Sequence, residues 1–238
     1  RARVRVDAAL NHPRPDTHGV AWLTTVWSTP RDEEVVDPLA LGDAAFEKSV
    51  QRLAHDCEPP LLAYEQPKKS AVSTSTLTIA QGDPSNWREA WDLVTVEIHT
   101  DGTLSVAQNV TGTEARGETT DGIHDMYFLA PTVVRGRLER AWRFAAAWWH
   151  DHDRYLRHDP LLFNLALHHV GNRRFAEAPR SSGGSITIPS ECPRDPVIVF
   201  DRPRKVYRAE MMSPVAEIGR SLTMMERALV LDTVRVTE

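Results

Sequence analysis

The sequence predicts an α+β fold, mainly antiparallel strands and hairpins packed with three principal helices. One observation is a hairpin signature, "DLVTVEIHTDGTLSVAQNV", which sets Asp101-Gly102 between two alternating apolar runs. A second is a long stretch of helical apolar period from Pro131 to about His150. A third is the mixing of short β-prone and helical runs without the strict β-α alternation of a parallel sheet. At 238 residues, with 41% hydrophobic and 26% charged, the chain suits one sizeable core. It reads as a single domain over residues 1–238, with two lobes splitting near 112–122 as the alternative.

Taken in order, "RARVRVD" alternates like a strand, "NHPRPDTH" is a proline-broken loop, and "GVAWLTTVWS" is a second strand. "DPLALGDAAFEKSVQRLAHDC" is a helix that Asp37 or Asp43 can cap. Phe46, Val50, Leu53 and Cys57 line one face before Pro59-Pro60 end it. "SAVSTSTLTIAQ" is β-prone, and "DPSNWREAW" supplies a turn or two of helix with Trp87 and Trp91 at i, i+4. In the hairpin, Val94, Val96 and Ile98 share a face and His99 is read as a solvated residue on the other. "EARGETTDG" is read as a loop. On the main helix, Val134, Leu138, Ala141, Trp142, Ala145, Trp148 and Trp149 form the apolar arc, with Pro131 suited to its first position. "PLLFNLALHHV" is open between strand and helix. "RSSGGS" is a turn leading into "SITIP", and "PVIVF" is a short buried strand. The last helix, "SPVAEIGRSLTMMERALVL", takes Ser213 as cap and Pro214 as first residue, with Val215, Ile218, Leu222, Met225 and Leu229 on one face.

Composition narrows the function classes. A net charge of −5 gives no overall pull toward nucleic acid or anionic lipid. No apolar run approaches the roughly 20 residues of a membrane span. Two cysteines without zinc or C-x-x-C spacing fit a reducing cytoplasm. Twenty-four arginines against four lysines read as the coding bias of a GC-rich bacterial genome. A start without Met, at "RARVRVD", reads as a piece excised from a longer chain. The glycine-rich "RSSGGS" lacks the lysine and helix of a P-loop, and no G-x-S-x-G elbow occurs.

The densest cluster of chemistry is "AWRFAAAWWHDHDRYLRHDP". Five of the ten histidines precede an aspartate: His55-Asp56, His124-Asp125, His150-Asp151, His152-Asp153 and His158-Asp159. The pattern invites comparison with metal phosphohydrolases built on a His-Asp dyad, yet none of the five sits inside a helical bundle, where ligand geometry is rigid. In a continuing helix His152 follows the Trp149 face and His150 lies about 160° away, beside Arg143 and Glu139. The two then cannot grip one ion, whereas a helix ending before His150 would let them share a strand face. Histidines near a helix C-terminus also complement its dipole.

In "FNLALHHV", strand geometry puts Asn164, Ala166 and His168 on one face, a polar pair that needs partners if buried. Arg135, Arg137, Arg140 and Arg143 flank the Trp helix, and Arg202, Arg204, Lys205 and Arg208 follow "VIVFD". Interspersed acids favour solvated arginines over a phosphate-binding stripe.

"WDLVTVEIHTDGTLSVAQNVTG" and "IHDMYFLAPTVVRGRLERAWRF", spanning roughly Trp91 to Arg143, resemble the C-terminal regions attached to actinobacterial ATP-binding proteins of the Schlafen AlbA type. The resemblance implies that nucleotide or nucleic-acid chemistry belongs to an N-terminal domain and that this chain is the accessory half. It transfers no functional residue.

The functional expectation is an accessory or sensor module of a bacterial cytoplasmic protein, working by ligand binding, partner binding or self-association rather than catalysis. Its candidate binding residues are Trp148, Trp149, His150, His152, Asn164, His168 and Arg143, with no cofactor and no metal assigned. Its partner is an unidentified small molecule or protein, a second copy included. Nucleic acid is disfavoured and a membrane is not expected. The alternative is a metal-assisted hydrolase or nuclease using His and Asp around 150–159.

Overall fold

A computed structural model describes residues 1–15, 20–83, 92–111, 115–119, 122–126, 129–171, 173, 175 and 195–234. The expectations for "DPSNWREAW", "RSSGGS", "SITIP" and Cys192 lie outside those residues. The α+β class is as the sequence predicts: a large antiparallel sheet carries helices on both faces. Its strands are β1 (Trp22–Ser28), β2 (Lys68–Val72), β3 (Thr76–Gln81), β4 (Val94–His99), β5 (Leu104–Asn109), β8 (Leu161–His168), β9 (Val197–Ile198) and β10 (Arg204–Val206). The order is β10-β8-β1-β5-β4-β3-β2, with β9 also on β8. Strand β1 lies between β5 and β8, so a single sheet holds strands from both sides of residues 112–122.

The expected hairpin is β4–β5. Gly102 turns it at φ +77°, and a Cβ there would sit 2.7 Å from Val35 Cγ2 and 3.0 Å from Thr29 Cγ2. His99 corrects its expectation. It is half-buried because β3 lies alongside, its Nδ1 is 3.0 Å from Thr76 Oγ1, and burial pushes its pKa down.

Two further corrections concern strand and loop. "RARVRVD" forms a helix, α1 (Ala2–Leu10), that packs on β1 and β8. Val6, Ala9 and Leu10, at helical spacing, are buried on Val26 and Ala166, while Val4 is 68% exposed. Both edges of β1 are paired, with β5 and β8, so the segment lies across the face of these strands and does not extend the sheet beside β1. "EARGETTDG" contributes to a separate hairpin of β6 (Ala115–Thr119) and β7 (Gly122–Met126). Its backbone ladder needs no apolar alternation, the signal on which a strand reading depends.

The helix expected after residue 37 breaks at Gly42. Asp37 accepts from Leu39 N–H at the start of α2 (Pro38–Leu41), and Asp43 from Ala45 N–H at the start of α3 (Ala44–Asp56). Helix α4 (Pro131–His152) crosses β1 and β5, flanked by α3, α5 (Arg208–Met212) and α6 (Val215–Val234). Helix α6 begins after Pro214, and Ile218, Leu222 and Met225 face the core, but Val215 is 73% exposed. Ser213 instead ends α5.

The main core lies between the sheet and α4, where Trp27, Trp142 and Phe163 meet with centroids 4.8–5.6 Å apart. The indole N–H groups of Trp27, Trp142, Trp148 and Trp149 are buried without an acceptor among the described residues. Burying roughly 200 Å² of ring contributes about 5 kcal/mol, more than the ~1–3 kcal/mol cost of an unmade hydrogen bond. Ring burial wins.

Among the described residues no helix is long and apolar enough to cross a membrane.

Candidate functional site

The end of α4 decides the His-Asp question. The helix runs through His152 and closes with Asp153 N–H donating to Trp149 C=O at 2.9 Å. His150 and His152 therefore diverge, and no cluster of three His, Cys, Asp or Glu side chains able to hold a metal occurs among the described residues. The dipeptides serve separate ends. Asp153, buried, accepts the backbone N–H groups of Arg157 and His158 at 2.9 and 3.1 Å. His158 faces Glu33 at 3.2 Å, and Asp159 accepts from the Arg208 N–H at 3.0 Å. Asp56 takes Arg52 Nε at 3.3 Å and the Tyr64 hydroxyl at 3.0 Å, while His55 stacks on Tyr64. His124-Asp125 lies on β7.

His152 stacks on Trp148 at a centroid separation of 3.5 Å, not along Trp149, and Phe46 of α3 meets both rings edge-on at 6.0 Å. Its Nδ1 lies 2.9 Å from the Trp148 carbonyl. A carbonyl only accepts, so Nδ1 carries the proton and Nε2 keeps its lone pair. Burial between aromatic rings pushes the imidazole's pKa below its ordinary value.

A groove of about 340 Å³ opens beside this ring between α3 and α4. Val50, Leu53 and Trp148 form its apolar side, and Ser49, Asp151 and His152 its polar side, with the Arg52–Asp56 pair at the rim. Beyond Asp151, which borders both, a second hollow of about 270 Å³ collects Arg143, His150, Met211 and Met212.

The sequence-derived candidates thus separate. His152 and the edge of Trp148 line the first groove, while Arg143 and His150 line the second. Trp148 and Trp149 are 1% and 0% exposed, so neither presents the interface surface expected of it; their rings complete the core. Trp149 is capped by Arg208, whose guanidinium lies over the ring and donates to the Trp149 carbonyl. Asn164 is fully used: its amide N–H donates to Phe200 C=O at 3.0 Å and its oxygen accepts Leu165 N–H at 2.8 Å. His168 is 3% exposed, its Nε2 has no hydrogen-bond partner among the described residues, and burial, reinforced by the Arg14 charge, lowers its pKa to about 4.

The arginine stripes are also dispersed. Arg137 reaches Asp92 at 3.8 Å, Arg143 meets Glu139 at 3.9 Å, and Arg204 is paired to Glu217 at 2.7 Å.

Two groups carried no signal in the sequence. Arg14 and Glu97 form a forked pair at 3.2 and 3.4 Å, and Thr24 and Ser105 accept the remaining guanidinium donors. Arg14 sits between prolines in an apparent loop, and Glu97 in an ordinary strand alternation. Only sheet pairing brings them together. On the α3 side of the groove Ser49 also carried no signal, and Asp56 stood out only within the His55-Asp56 dipeptide.

No family model matches the chain, and no curated protein or solved structure does either.

Proposed function

We propose that this chain is an accessory or sensor module of a cytoplasmic bacterial protein. It acts by binding at the groove between α3 and α4 rather than by catalysis. The observation that carries the reading is the groove itself: two helices contribute an apolar wall and a row of polar groups at one place. Its volume lies within the roughly 300–1,000 Å³ range of small-molecule sites. Asp151 and the Nε2 of His152 are left over there, whereas Asn164 and Asp153 are consumed by the fold. The end of α4 further favours binding over a metal-assisted hydrolase, because a His-x-His pair cannot converge on one helix.

A fragment screen by amide and indole NMR shifts tests the reading. Shifts should gather at Ser49, Leu53, Trp148, Asp151 and His152, and Ser49→Trp, at an exposed position, should abolish them. Shifts gathered elsewhere, or unaltered by that substitution, would remove the groove as the binding place.

A further inference from the structure

The charge and hydrogen-bonding pattern of the α3–α4 groove selects among ligand classes. Asp151 is exposed and has no ion pair or hydrogen bond among the described residues, unlike Asp56, which is matched by Arg52. One step further along α4, His152 has Nδ1–H committed to the Trp148 carbonyl, so Nε2 can only accept. Turning the ring over to offer a donor would keep its stack on Trp148 but break that bond. The groove therefore presents one negative charge without an ion pair among the described residues and one fixed acceptor, with half-buried Leu53 as its accessible apolar wall over buried Val50 and Trp148. An anion would meet Asp151, and the two arginines bordering it among the described residues are already paired, Arg52 with Asp56 and Arg143 with Glu139. A neutral alcohol satisfies the acceptor and leaves the charge unmatched. A protonated amine satisfies both, donating N–H to Nε2 and to the carboxylate while its carbon chain covers Leu53.

We propose that the groove is a site for a small organic cation, a primary ammonium on a short apolar chain. The assignment rests on the groove being the binding place, and the experiment separates the two claims. Butylammonium, 1-butanol and butyrate are titrated into the ¹⁵N-labelled chain at pH 7, following the Trp148 indole and the amides of Leu53, Asp151 and His152. Butylammonium should bind about tenfold more tightly than 1-butanol, with butyrate producing no saturable shift. Asp151→Asn should remove about that factor for the amine and leave 1-butanol unchanged. His152→Phe, which keeps a ring on Trp148 but has no acceptor, should weaken the amine as well. Equal binding of 1-butanol or butyrate at these residues would overturn the ligand class while keeping the groove. Absence of saturable shifts from all three probes would overturn both. Retention of amine affinity in Asp151→Asn would overturn the role of the carboxylate.

Discussion

On the face of the sheet covered by α4, Trp27, Trp142 and Phe163 lie in mutual contact, and the polar groups inserted among the rings are only partly bound. Gln108 Nε2, for example, donates to the Arg137 carbonyl at 2.8 Å, and Thr25 Oγ1 to Val106 C=O at 3.1 Å. On the opposite face, α1 covers only a small apolar patch of Val26, Ala166 and half-buried Leu162. The rest of that face carries Thr24, Ser105 and Glu97 around the buried guanidinium of Arg14, with His168 nearby, and beyond them a second small apolar cluster of Val20, Trp22, Leu93 and Ala107. Both faces exclude water, one by a continuous area of rings and the other by a matched charge pair set between two small apolar clusters. Ring burial tolerates an unmade indole hydrogen bond, whereas a buried charge pair fails when either partner is lost.

The largest expected effect lies on the ring side. Trp142→Ala, at a fully buried position, should cost about 5 kcal/mol by urea denaturation. A loss below ~2 kcal/mol would mean that the α4 face is not the dominant support. Next comes Arg14→Met, which strands Glu97 in the interior and should cost about 4 kcal/mol. Adding Glu97→Met should recover at least half of that. A double variant no better than the single one would show that packing of residues 11–15, and not charge matching, holds this face.

A pH effect of intermediate size belongs to His168. Its folded pKa is about 4, against an ordinary value of 6.5. Between those values the unfolded chain binds the extra proton and the folded chain does not. Stability from this group is therefore complete above pH 6.5 and is lost as pH falls toward 4, by about 3 kcal/mol. His168→Gln should flatten that slope in unfolding measured from pH 7 to 4, and an unchanged slope would assign it to other groups. The smallest effect is expected outside both faces. Arg143→Ala breaks an exposed i, i+4 pair with Glu139 at 3.9 Å and should change stability by about 0.3 kcal/mol.

What the sequence determined by itself was the set of elements whose signals are local. The Asp101-Gly102 turn, the caps Asp37 and Asp43, and the apolar arc of α4 each depend on residues within a few positions of one another. Their chemistry is complete before tertiary contacts form. The sequence also posed the His-Asp question correctly as one about where α4 ends. Tertiary structure supplied what depends on occupancy of a surface. The alternating "RARVRVD" is helical where Val6, Ala9 and Leu10, at helical spacing, cover an apolar patch on β1 and β8. Trp148 and Trp149 became core because α3 and α5 close over α4. The Arg14–Glu97 pair joins residues 83 positions apart, and the groove joins α3 to the end of α4. Neither leaves a periodic trace in the sequence, because side-chain periodicity reports which way a residue points and not what it meets there.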